Sequence, residues 1–281
     1  MGVGPRTAAT ADRMMNHLSL FSGIGGLDIA AQWAGMQTVA FVERDPYCQR
    51  VLAKHWPGIP IYGDIHEVTD NVIRGIGRID IISGGFPCQP FSQAGKRAGQ
   101  SDDRYLWPEM LRIIDIAGPR WVVGENVTGI INMALDDVLA DLEAKGYEAR
   151  TIVFPACAVG APHIRSRVSV VAYATITRNR RLSVRSRGSR QEKAHIDRGG
   201  ENVSDTKLTQ WPERTWDAKS MDEETSDQPR GCGWDSEVES ELGRVADGIP
   251  HRVDRLRALG NAVVPQQAYQ VFKLIAQLTG L

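Results

Sequence analysis

Cysteine is scarce in this chain: there are four in 281 residues, at positions 48, 88, 157 and 232, and none forms a Cys-x-x-Cys pair. That spacing offers neither a zinc site nor a disulfide framework, so no metal centre is expected and a reducing cytoplasm is the expected setting. No apolar run approaches the roughly 18 residues of a membrane span, and no signal-peptide h-region is present, so neither membrane insertion nor export is expected. Charge of one sign is missing as well: 33 Lys and Arg against 34 Asp and Glu leave a net charge of −1. Contact with nucleic acid would have to rest on local basic surface. Residues 1–16 lack pattern altogether and read as a loose tail.

What is there suits one sizeable core: 42% hydrophobic and 24% charged residues are ordinary for a globular α/β domain with a smaller appendage. The chain is organised around residues 79–95, where the apolar run Ile79 to Ser83 gives way to Gly84-Gly85-Phe86 and then Pro87-Cys88-Gln89-Pro90. Two glycines let the backbone turn after a buried strand, and two prolines restrict φ on either side of one thiol. Cys88 is thereby presented at the carboxyl end of a strand, where open α/β sheets bind ligands. A lone cysteine is also a common small hydrophobe. The flanking prolines and the polar Gln89, Ser92 and Gln93 favour a nucleophile.

In chain order, His17 to Phe21 reads as a strand running into Ser22-Gly23-Ile24-Gly25-Gly26, followed by a helix that Gly35 stops. Gln37 to Val42 is a second strand. Glu43 stands at its end, 20 residues after Gly23, the spacing at which doubly wound sheets hold a ribose hydroxyl pair. Glycines also serve plain turns, and Glu43 also reads as a solvated strand-end charge. Asp45-Pro46 predicts a capped helix, and Asp64 closes a further short strand. Lys96, Arg97 and the polar residues to 103 read either as a surface loop or as a lid bringing two cations to phosphates. A helix is predicted over 104–117 and a strand over 121–124 ending in Glu125-Asn126-Val127, with Asn132 capping the next helix. Arg165 and Arg167 alternate in an expected extended segment before the strand 168–173. Two such arginines suit a phosphate or carboxylate clamp.

Composition changes near residue 175. Residues 174–198 hold eight Arg or Lys against two acids, and residues 217–247 hold ten acids against three bases. Periodicity is poor there, and Trp211, Trp216 and Trp234 serve either a small core or surface contacts. Order returns with Gly260-Asn261-Ala262-Val263-Val264-Pro265 and an amphipathic helix.

Gly-Gly-Phe-Pro-Cys-Gln-Pro-Phe-Ser resembles the nucleophile motif of the cytosine-C5 DNA methyltransferases, and further stretches match in order over most of 18–174 and 255–281. The resemblance implies a Rossmann-like S-adenosylmethionine-dependent methyltransferase sheet with a small, irregular target-recognition domain. Its divisions would be a tail (1–16), a catalytic and cofactor domain (17–174), a target-recognition region (175–249) and a segment returning to the catalytic domain (250–281). It implies S-adenosylmethionine at Phe21, Gly23, Gly25, Glu43, Asp64, Pro87 and Asn261, and DNA contacts from Gln89, Ser92, Lys96 and Arg97. Cys88, Glu125, Arg165 and Arg167 would be catalytic. The implied partner is double-stranded DNA, with no membrane. The implied setting is a monomer, in a restriction-modification or phage system with a cognate endonuclease as functional companion. Two departures stand out: Arg44 occupies the place where many relatives carry an aromatic or apolar residue against adenine, and His163 and Ile164 depart from the pattern Gln-Arg-Arg-x-Arg. An RNA cytosine methyltransferase, a silent DNA-binding paralogue and a nicotinamide enzyme remain as other readings of the same residues.

Overall fold

Short apolar runs make the strands and amphipathic stretches make the helices between them. In the computed structural model, which describes residues 14–87, 105–175 and 252–280, the strands are β1 (Asn16–Leu20), β2 (Gln37–Val42), β3 (Ile61–Tyr62), β4 (Ile81–Gly84), β5 (Trp121–Val127), β6 (Tyr147–Phe154) and β7 (Arg167–Ala174). The α-helices are α1 (Gly26–Trp33), α2 (Pro46–His55), α3 (Asp70–Ile76), α4 (Trp107–Ala117) and α5 (Leu135–Ala144), followed by α6 (Arg252–Asn261) and α7 (Pro265–Thr279). One seven-stranded sheet forms in the order β3-β2-β1-β4-β5-β7-β6. Neighbours from β3 to β5 are parallel, whereas β7 runs antiparallel to both β5 and β6. The order reverses between β1 and β4, and their carboxyl ends flank the crevice where such sheets bind ligands. This is the expected Rossmann-like α/β architecture.

Both faces of the sheet are covered, which is why its central strands are buried at consecutive positions rather than at alternate ones. On one face Met110, Ile113 and Ile114 of α4 and Val138 and Leu142 of α5 pack against Leu18, Leu20, Ile82 and Val122. On the other, α1 and α7 cover Ile81, Trp121, Val123 and Val171 with Leu27, Ala30, Val271, Phe272 and Ile275. Phe272 is fully buried, so truncating it to alanine would cost about 3–5 kcal/mol.

A polar cluster sits inside the second layer. His17, Ser19, Asp28 and Ser83 have no exposed surface, and Thr38 is almost as deep. Ser19 and Thr38 donate to the two oxygens of Asp28 at 3.0 Å each. His17 Nδ1 lies 2.9 Å from Thr38 Oγ1 and its Nε2 2.7 Å from Ser83 Oγ. With the Thr38 hydroxyl committed to Asp28, Nδ1 is the donor to Thr38 and Nε2 accepts from Ser83, so the imidazole is neutral. Burial lowers the His17 pKa to about 3 and raises that of Asp28 to about 7, the hydroxyls only partly opposing the latter.

Most elements lie where the periodicity places them, with informative exceptions. Helix α4 starts at Trp107 rather than 104, because Pro108 has no N–H to bond and fits the first turn. Asn132 does not cap α5: it ends a 3-10 turn, Thr128–Asn132, and Ala134 takes the cap position without a side-chain bond. Strand β5 continues through Glu125 and Asn126 to Val127, because antiparallel β7 prolongs the ladder past the end of β4. Helix α3 was not expected. The region 175–249, apart from Thr175, lies outside the described residues, as do residues 1–13 of the expected tail.

Candidate active site

Strand register builds the site. Leu20, Gly84 and Gly124 stand side by side at the carboxyl ends of β1, β4 and β5. The residues that follow are therefore neighbours in space: Phe21 and its glycine turn, Gly85-Phe86-Pro87, and Glu125.

After β1 the backbone turns through left-handed conformations at Phe21 (φ 52°), Gly23 (φ 55°) and Gly25 (φ 87°). Such geometry favours glycine at the latter two positions and is uncommon for Phe21. Ser22 N–H donates to the Val42 carbonyl at 3.2 Å, tying the turn to β2. Glu43 then receives the Gly23 N–H on Oε2 and the Asp45 N–H on Oε1, both at 2.7 Å, while Gln49 Nε2 holds its carbonyl. Each carboxylate oxygen keeps a second lone pair. The carboxylate is thus pre-aimed and still able to accept hydroxyl protons.

Asp64 takes the His66 N–H at 2.9 Å and His66 Nδ1 at 2.7 Å on Oδ1. These bonds, with the charge of Arg44 adding a smaller share, hold its carboxyl below the usual carboxylate range. Arg44 is therefore close to Asp64 and exposed, whereas Ile65 is 4% exposed in the core. The C-terminal segment closes on this half of the site: a Cβ on Gly26 would lie 2.7 Å from the Val263 carbonyl oxygen, and Arg257 pairs with Asp45 at 3.3 Å. Asn261 ends α6 with its side chain exposed.

The other half centres on Glu125, whose side chain is 13% exposed. A Cβ on Gly85 would come within 3.3 Å of Glu125 Oε2, so the glycine turn leaves room for the carboxylate. Asn126 Nδ2 donates to the Phe86 carbonyl at 2.9 Å, pinning the chain two residues before Cys88 onto the strand that bears Glu125. Phe86 and Trp107 add a ring contact at 5.1 Å. Pro87 is described at the end of this segment; Cys88, Gln89, Ser92, Lys96 and Arg97 lie outside the described residues.

Arg167 Nε stands 3.1 Å from Glu125 Oε1. The contact is an ion pair without the alignment of a hydrogen bond, since Glu125 Oε1 is buried with no hydrogen-bond partner among the described residues. Burial raises the Glu125 pKa, and Arg167 and then Arg165 oppose that rise. The expected alternation of the two arginines on one extended face does not occur. Arg165 sits at φ 35°, outside the strand, and its guanidinium donates to the carbonyls of Gly260 at 2.8 Å and Ala262 at 2.7 Å. Capturing the C-terminal carbonyls pulls Arg165 aside and leaves Arg167 as the direct partner of Glu125. His163 and Ile164 are exposed in the same connection.

The residue that sequence reasoning passed over is Asn126, 8% exposed with both ends of its amide bonded. Its signal was a polar side chain inside an otherwise apolar strand, which must find partners when buried. Among the described residues no group of three or more His, Cys, Asp or Glu is placed to hold a metal ion. No described helix is long and apolar enough to cross a membrane.

Comparison with known proteins adds the following. The family described as C-5 cytosine-specific DNA methylase matches residues 15–242. The type II methyltransferase M.AquIA of Picosynechococcus is 39% identical over 173 residues, covering 55% of this chain and 70% of that protein. M.NgoFVII of Neisseria gonorrhoeae, also a type II methyltransferase, is 35% identical over 55% of this chain but only 42% of its own length. The crystal structure of a Spodoptera frugiperda DNMT2 variant superposes with a TM-score of 0.50 at 26% identity, covering 57% of this chain and 50% of that one. The chain thus spans less than half of one curated relative and about two thirds of another.

Proposed function

The chain belongs to the C-5 cytosine-specific DNA methylase family, and from that premise we propose that it is a DNA cytosine-5-methyltransferase acting on double-stranded DNA within a restriction-modification system. The observation that carries the reading is Glu125: a buried carboxylate beside Arg167, on a strand whose next residue, Asn126, holds the chain leading to Cys88.

Cytosine C5 is too weak a nucleophile to take a methyl group unaided, so the ring must be activated at C6. In the proposed reaction the Cys88 thiolate forms a bond to C6. Glu125 holds N3 and the exocyclic amine of the target and steadies the ring as electron density moves to C5. Arg167 keeps Glu125 oriented, and its positive charge, with that of Arg165, favours the thiolate form of a nearby cysteine. A base then removes the C5 proton and the Cys88–C6 bond breaks, restoring the aromatic ring and the thiolate. The target cytosine has to leave the duplex stack to reach Glu125.

S-adenosylmethionine, when bound, would supply the electrophilic methyl group. The chain fits it: the Phe21–Gly26 turn follows β1 at the switch of strand order, Glu43, with free lone pairs for ribose hydroxyls, and Asp64, for the adenine amine, follow the adjoining β2 and β3, Pro87 stands in the turn after β4, and Asn261 belongs to the returning C-terminal segment. In this reading residues 17–174 and 250–281 make the catalytic body, and 175–249, with Gln89, Ser92, Lys96 and Arg97, meet DNA. The packing of α7 against α1 supports the return of the C-terminal segment.

The test is transfer of labelled methyl from S-adenosylmethionine to duplex DNA and, in parallel, to tRNA, with wild type and Cys88→Ser. Label in DNA cytosine that disappears in the variant supports the assignment. Transfer to tRNA alone, or undiminished transfer by Cys88→Ser, overturns it.

A further inference from the structure

Gln267 stands in the first turn of α7, on the face that carries Ala268, Val271 and Phe272 into the sheet, and is 5% exposed. An amide in that position is costly to bury unless it is bonded. Its Nε2 donates to the carbonyl oxygens of Phe154 and of Arg165, the latter at 3.2 Å. Phe154 is the last residue of β6 and Arg165 stands two residues before β7, so one amide grips both ends of the connection that delivers the two arginines. The Ala156 N–H bond to the Ile164 carbonyl, at 2.7 Å, closes the same connection from inside. On its other side Gln267 lines, with Glu125, Arg167 and Ser169, a cavity of about 10 Å³. Among the described residues neither Gln267 Oε1 nor Glu125 Oε1, both buried, has a hydrogen-bond partner.

We propose that Gln267 is a positioning residue for Glu125: its amide locks the 155–166 connection so that Arg165 and Arg167 bear on the carboxylate at a set distance. The kinetic part of this proposal rests on the methyltransferase reading above, whereas the structural part does not. Among the described residues the charged groups facing Glu125 are Arg167 and Arg165. Its neighbours from the helical layer and from the turn after β4, namely Leu27, Val263, Ala268, Val271 and Gly85, are uncharged. Nothing else described would replace the arginines' charge if the connection loosened. Glu125 would then bind its proton more tightly and lose its fixed position against a base.

Gln267→Met keeps the length of the side chain and removes the donors. The expected result is a kcat about tenfold lower or worse, a KM for S-adenosylmethionine within about twofold of wild type, and a Glu125 carboxyl titration, followed by carbon NMR in ligand-free protein, displaced to higher pH. Gln266→Met, exposed one residue away, should change none of these. An unmoved Glu125 titration with wild-type kcat overturns the proposal, as does a KM for S-adenosylmethionine that rises in step with the fall in kcat. Should Gln267→Met not fold, Gln267→Glu serves instead. Its carboxylate donates nothing when ionised and one hydrogen bond when protonated, and burial raises its pKa above the usual value of about 4.3, so its kcat relative to wild type should climb as pH falls from neutrality toward about 5. A flat ratio is equally fatal. If wild type transfers no methyl to DNA, the function reading fails while the NMR titration still decides the role of Gln267.

Discussion

Asp28 and Glu125 are both buried carboxylates raised in pKa by desolvation, yet their surroundings are opposite. Asp28 is enclosed by neutral donors: two hydroxyls, a backbone amide and a neutral imidazole behind one of the hydroxyls. Glu125 faces a guanidinium and keeps one oxygen without a hydrogen bond from the described residues. A carboxylate whose lone pairs are all served by the fold has nothing left for a ligand. One held by a cation and incompletely bonded is prepared to receive a donor from outside, in the proposed reaction the exocyclic amine of the target cytosine.

The largest effect expected from breaking this contrast is on turnover. Glu125→Gln should lower methyl transfer by about 100-fold or more while leaving the unfolding midpoint within about 3 °C, since the amide keeps the shape of the side chain and removes a carboxylate that burial disfavours. Near-normal transfer, or a collapse in stability with the chemistry intact in the folded fraction, would place Glu125 with Asp28 as a structural group.

Asp28→Asn should do the reverse, sparing turnover of folded protein and changing how stability depends on pH. In wild type between about pH 4 and 6.5, native Asp28 retains a proton that the unfolded chain has released, and native His17 lacks one that the unfolded chain has bound. The two contributions cancel, so this pair adds no slope across that window. Without Asp28, His17 alone of the pair remains. Its pKa is depressed on folding, so stability should decline by about 1.4 kcal/mol per unit as pH falls below 6.5 toward about 3. Urea unfolding across that range measures it, and parallel curves for variant and wild type would refute the pairing.

The smallest effect tests a charge pair outside both clusters. Arg257 is 68% exposed beside Asp45, so Arg257→Ala should cost no more than about 0.5 kcal/mol, less in high salt, with affinity for S-adenosylmethionine within about twofold. A tenfold loss of affinity would instead make Arg257 part of the cofactor site.

Much of this was legible from single residues and spacings. The glycine turn, the acid 20 residues on and the Asp45-Pro46 cap lie where the pattern puts them, because each depends on local backbone geometry. Asn132 ends a local 3-10 turn instead of capping α5, whereas the conformation of the 165–167 segment is chosen by partners far along the chain. Arg165 leaves the extended form for carbonyls 95 and 97 residues away. The buried His17, Ser19, Asp28, Thr38 and Ser83 cluster was not foreseen at all, since polar residues within an apolar strand or helix show a need for partners without saying which.

The sequence by itself determined the alternation of strands and helices, the glycine turns and the acids at strand ends, all of which follow from periodicity and from the dihedral limits of glycine and proline. Only the tertiary structure decided that β7 runs antiparallel to β5 and carries the chain to Arg167 opposite Val127, that Asn126 holds the Phe86 carbonyl, and that Gln267 grips the arginine connection. Those contacts join residues 40 to more than 100 positions apart. Burial, register and charge pairing between distant segments are settled only when the layers pack.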